Sequence, residues 1–219
     1  MLVFITFLIA TVFLVIVNVN EMKKIKEEAS DEKYDKIIAT LPDNKQVCSE
    51  MQKMINKECE IQLDDNTGSS AYIFFLDKII LSNNEMSKKS FSRILFIAHE
   101  CIHSIQSRKM HIANFTLKNI LNIFTLALFI ILFMNKISFE LLLTYFLVAF
   151  LSFCINMILE TDAIYRSLIL ARKYLSKYDS NEIADRYEEI VPKTIKGIYF
   201  RYASFSVYVI FAMSISLII

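Results

Sequence analysis

The sequence predicts a mainly α-helical integral membrane protein, with about four transmembrane helices and a small β-hairpin outside them. Three observations predict it. Of 219 residues, 55% are hydrophobic, while Gly and Pro occur only twice each, a composition more apolar than that of an ordinary soluble domain. The apolar residues gather into the runs Met1–Val19, Phe115–Met134, Phe139–Leu159 and Ala203–Ile219, each near the roughly 20 residues a helix needs to cross hydrocarbon. The charged residues lie between these runs, in segments with helical or strand-like periodicity.

Divided on that basis, the chain reads as an anchor (1–19), a polar region (20–114), a transmembrane hairpin (115–159), a second helical region (160–197) and a last span (198–219). The first run has no charged leading segment and no small-x-small cleavage site, which favours an uncleaved anchor over a signal peptide. Lys118, Asn119 and Asn122 sit in the first turns of the second run, which therefore reads as a span or as an interfacial extension. Asn135-Lys136-Ile137 links the second and third runs tightly. Every Lys and Arg but Lys136 then falls on one side, and the positive-inside rule makes that side the cytoplasm.

From Glu21 to Lys57, Ile25, Ile37, Ile38, Leu41, Met51, Met54 and Ile55 are spaced for two amphipathic helices, broken at Leu41-Pro42. Asp64–Ser70 reads as a polar loop. Ala71–Leu76 and Lys78–Leu81 are rich in Ile, Phe and Tyr and read as a hairpin turning near Asp77. An edge of that hairpin is a candidate for pairing with an extended peptide, and Ile79→Pro is its natural test. Polar Ser87–Ser90 starts a helix through Phe91, Ile94, Leu95, Ile97 and Ala98. Helices are also expected over Glu160–Tyr178 and Asn181–Ile190, before Pro192 and Gly197.

The helix beginning at Ser90 leads into Ile97-Ala98-His99-Glu100-Cys101-Ile102-His103-Ser104-Ile105. Two His four residues apart share a helical face and suit one Zn²⁺; Glu100 beside the first is placed as general acid/base for a water attacking a peptide carbonyl. The flanking positions are uncharged, as a helix under a cleft requires. A third ligand is still needed. His111, eight residues past His103, is about 12 Å further along a continuous helix, and Gln106 and Lys109 stand where the metzincin extension needs Gly and His. Glu160, directly after an apolar run in Leu159-Glu160-Thr161-Asp162-Ala163, is the leading candidate. Asp162 is placed to orient a ligating His or to cap and meet solvent, and Tyr165 and Arg166 are nearby candidates for oxyanion donors.

FIAHECIHSIQ, with Gln three places after the second His, and ETDA downstream resemble the YugP-type membrane zinc metallopeptidases over roughly Tyr72 to Leu175. The resemblance implies a zincin-like catalytic region, His99, His103 and Glu160 as zinc ligands, and Glu100 as catalytic acid/base. Ile102 departs from the family's Gly and Cys101 from its common aliphatic residue, so the bulk of Ile102 implies a differently shaped cleft. The substrate implied is a polypeptide in or beside a lipid bilayer. A non-catalytic zinc-stabilised scaffold is the alternative, and a small carrier a more distant one.

The formal charge of +1 leaves no basic stripe for nucleic acid. Cys48, Cys59, Cys101 and Cys154 have no C-x-x-C spacing and read as free thiols. Cys101, beside Glu100, is either redox-sensitive or a buried inert thiol.

Overall fold

The computed structural model describes residues 32–64, 70–82, 90–133 and 138–192. Helices α1 (Glu32–Ile38) and α2 (Asn44–Met54) precede the strands β1 (Glu60–Asp64), β2 (Ala71–Ile73) and β3 (Lys78–Ser82). Then come α3 (Arg93–Ile105), α4 (Arg108–Phe133), α5 (Phe139–Leu175), a 3₁₀ turn (Ser176–Tyr178) and a helix over 181–192, here α6. Two compact units separate. Among the described residues, one comprises 32–108 with 159–192 and the other 109–158.

In the first unit, α1 and α2 part at Pro42. Asp43 then caps α2 by accepting the Gln46 amide at 2.8 Å, satisfying one orphan donor of the first turn. Asn56 takes a left-handed conformation just after α2, as Asp77 and Asp179 do at their turns. With only two Gly in the chain, these side chains, which tolerate that region best after Gly, make the reversals.

The sheet has three strands rather than a hairpin alone, in the order β1-β3-β2. β2 and β3 pair antiparallel, with Tyr72 opposite Ile79, and β1 lies parallel on the far side of β3, with Ile61 opposite Ile79. Ile79 therefore belongs to the central strand and is fully buried. The edge near α3 is β2.

The core joins Val47, Cys48 and Met51 of α2 to Ile79 and Leu81 of β3 and to Ile94, Ile97, Ala98, Cys101 and Ile102 of α3. Ala163, Leu170 and Tyr174 of α5 and Ile183 and Tyr187 of α6 complete it. Arg93 is also fully buried: its guanidinium donates to the carbonyls of Ile38, Leu41 and Pro42 and to Asn44 Oδ1 at 2.9–3.4 Å. It thus serves the carbonyls of the turn that follows α1, of which Ile38 O also accepts the Leu41 amide.

In the unit Lys109–Ile158, α4 and the first half of α5 pair through Leu128, Tyr145 and Ala149. The Tyr145 and Thr125 hydroxyls lie 3.0 Å apart, and Asn156 Oδ1 accepts from Lys118 Nζ (2.5 Å) and Asn114 Nδ2 (3.2 Å).

Four transmembrane helices and a multi-pass location are not supported. Among the described residues, one helix, Leu143–Tyr178, is long and apolar enough to cross a membrane. The run from Phe115 forms part of α4, but its early turns carry Lys118, Asn119 and Asn122, which dilute the apolar stretch, and Lys118 bonds a neighbouring side chain. The run Phe139–Leu159 does not end at a boundary, because α5 continues unbroken to Leu175 and its later turns enter the core. Met1–Val19 and Ala203–Ile219 lie outside the described residues. The cytoplasmic assignment rested on the four-span arrangement and falls with it.

Candidate metal centre

The sequence of α3 separates its faces. Ile94, Ile97, Ala98, Cys101 and Ile102 recur at helical spacing and are almost wholly buried, which turns His99, His103 and the residue seven past His99, Gln106, to another face. Ahead of the helix, Asp35 of α1 accepts the Phe91 amide at 2.6 Å, and Tyr187 of α6 donates its hydroxyl to the Phe91 carbonyl. The start of α3 is thereby tied to two other helices. It ends at Gln106, whose backbone turns extended.

His99 Nε2 and His103 Nε2 stand 3.0 Å apart, and Glu160 Oε2 of α5 is 3.4 Å from the first and 3.8 Å from the second. Ligand distances of about 2.0–2.1 Å around a tetrahedral zinc place donor atoms roughly 3.3 Å from one another. The observed separations bracket that value, so two imidazoles and one carboxylate fit a single ion. His99, His103 and Glu160 form the group among the described residues whose donor atoms converge in this way. Glu160 lies within α5, which continues beyond it to Leu175.

Electrostatics agree with the convergence. Burial would lower the pKa of His99, but the hydrogen bond to Glu160 and the charges of Glu100 and Glu160 outweigh it and hold the imidazole above its usual range. Two carboxylates therefore favour positive charge at this position, as a divalent cation supplies. Glu100 is anchored separately. Its Oε2 accepts the backbone amide of Tyr72 on β2 at 2.7 Å.

The remaining predicted residues divide. Asp162 does not touch either His; it accepts from Gln106 Nε2 at 2.8 Å, and Gln106 Oε1 meets His103 Nδ1 at 2.7 Å. Arg166 lies 3.4 Å from Asp162 Oδ2, and Tyr165 is 53% exposed; neither is among the converging donors. His111 belongs to the other unit. Ile102 is 3% exposed and packs in the core, so its bulk enters the interior and not the cleft expected to change. Cys101 is buried with Sγ 3.7 Å from Cys48 Sγ, and that contact, with burial, pushes its thiol pKa well up. It fits the inert reading.

In the sequence Gln106 stands only as part of the motif, with no role in the site, and the Tyr72 amide does not figure at all. Gln106 was visible by spacing, three residues after His103 on one helical face. A backbone donor leaves no mark in side-chain identity.

No protein-family model, no curated protein and no solved structure matches this chain.

Proposed function

We propose that the chain is a zinc-dependent metallopeptidase, with His99, His103 and Glu160 as metal ligands and Glu100 as general acid/base. The observation that carries the reading is the convergence of three donor atoms at near-tetrahedral separations beside a carboxylate fixed by a backbone amide. The resemblance of FIAHECIHSIQ and ETDA to the YugP-type peptidases points the same way.

When bound, zinc supplies Lewis acidity and brings the ionisation of water toward neutral pH. The chain's residues do the rest. Glu100 accepts the proton of the water that attacks the scissile carbonyl and returns it to the departing amine. The Tyr72 amide holds one Glu100 oxygen by a charge-assisted hydrogen bond, which limits side-chain rotation and fixes where the proton is received. His99 and His103 offer neutral ring nitrogens and Glu160 one anionic oxygen, a set with three protein ligands and room for a fourth. The substrate class is an extended polypeptide.

The test measures zinc per chain and cleavage of an unstructured polypeptide by wild type and Glu100→Gln. About one zinc in both proteins, with turnover reduced roughly 10²–10⁴-fold in the variant, is the expected result. Equal turnover in both sinks the role of Glu100. Zinc without hydrolysis in wild type favours a metal-stabilised scaffold.

A further inference from the structure

The side chain of Gln106 touches both helices that carry the metal donors, and its hydrogen-bond partners leave one orientation. Its Nε2 donates to the Leu159 carbonyl and to Asp162 Oδ2, each at 2.8 Å. A carbonyl and a carboxylate only accept, so the amide nitrogen must face α5 and the amide oxygen must face His103, 2.7 Å from Nδ1. His103 Nδ1 then carries the proton. Its Nε2 keeps a bare lone pair directed toward His99 and Glu160, the form a metal ligand requires.

The two acceptors on α5 flank Glu160 in sequence, one residue before it and two after it. One amide therefore reads the turn that presents Glu160 while its other end sets the tautomer and rotation of His103. At 2.7–2.8 Å, all three contacts are well-formed hydrogen bonds, the one to Asp162 charge-assisted. Gln106 is also the residue at which α3 stops, so no helical register beyond it holds His103 in place. Asp162, lacking direct contact with either His, acts through this amide.

We propose that Gln106 is a positioning residue that sets two of the three metal donors at once, His103 through Oε1 and Glu160 through Nε2. The proposal rests on the metal-centre reading above. It concerns how the site reaches its geometry, and a hydrogen-bond acceptor for His103 alone does not fulfil it.

The experiment is zinc affinity by competition with a chromophoric chelator, using the full chain as wild type, Gln106→Leu, Gln106→Glu and Asp162→Asn. The visible d–d bands of the Co²⁺-loaded proteins and thermal unfolding of the metal-free proteins accompany it. Gln106→Leu should weaken zinc about 10–100-fold and alter the Co²⁺ bands, with metal-free unfolding unchanged. Gln106→Glu should lose at least as much, because a carboxylate accepts from His103 but has nothing to donate to α5. Asp162→Asn keeps an acceptor and should lose no more than about fivefold. Wild-type affinity in Gln106→Glu overturns the double role. Equal zinc in wild type and Gln106→Leu removes the positioning role and leaves the metal centre standing, whereas no zinc in wild type removes both. A loss matched by weaker metal-free stability, with unchanged Co²⁺ bands, assigns Gln106 to the fold and overturns the proposal.

Discussion

The two units use apolar side chains differently. In the unit that holds the donors, Ile94, Ile97 and Ala98 of α3 are fully buried and the histidines occupy another face. In the unit Lys109–Ile158, Leu128, Tyr145 and Ala149 are buried, while Ile123 is 70%, Leu126 65% and Leu147 57% exposed. Hydropathy averaged along the chain treats both as apolar. Periodicity separates them, because a one-sided stripe specifies a partner face and an all-round distribution does not.

The widest gap between the units should appear at Arg93. Arg93→Ala strands the Leu41 and Pro42 carbonyls at about 1 kcal/mol or more each, while Ile38 O keeps the Leu41 amide, and it leaves a cavity, so a loss of at least about 4 kcal/mol in unfolding free energy is expected by chemical denaturation. Ile97→Ala comes next, at about 2–5 kcal/mol, against a change within about 0.5 kcal/mol for Ile123→Ala. Comparable losses at 97 and 123 would break the contrast, since they would mean that the exposed face is covered in solution.

Metal addition sharpens the same comparison. Free zinc at about 100 times its dissociation constant should add roughly 2.7 kcal/mol to the stability of wild type, and Glu160→Ala should show almost none of it. Segment-resolved hydrogen exchange should place the protection in α3 and in α5 around Glu160. Equal protection throughout 109–158 would contradict two separately organised units.

The smallest effect belongs to the β2–β3 turn. Burial raises the pKa of Asp77, but hydrogen bonds from Lys57 and Tyr72 outweigh it and hold the carboxyl below its usual range. A depressed folded-state pKa stabilises above the ordinary carboxylate range, and that contribution is lost as pH falls through the lower folded value. Asp77→Asn, which tolerates the left-handed backbone there, should be slightly less stable than wild type at neutral pH and converge with it below about pH 4. Parallel pH–stability curves would show that the carboxylate contributes nothing.

What the sequence disclosed follows the same division. The spacing of His99, Glu100 and His103 was legible because the two imidazoles four residues apart share one helical face, and Glu160 because an acid beside an apolar run calls for a partner. β1 was hidden. Its partner β3 is parallel and 18 residues on, with Glu60 opposite Lys78, and both of its faces are partly exposed, which blurs the strand alternation. The two middle runs were misjudged as separate spans because run length alone cannot distinguish an independent span from part of a longer helix that enters a core, as α5 does.

The hydrogen bond from the Tyr72 amide to Glu100 also bears on self-association. β2 is an edge strand, and an edge amide without a partner is a template for another chain. A carboxylate seated on that amide blocks such pairing. Glu100→Gln keeps an acceptor there, whereas Glu100→Ala bares the edge, so an alanine variant tests colloidal behaviour as much as chemistry.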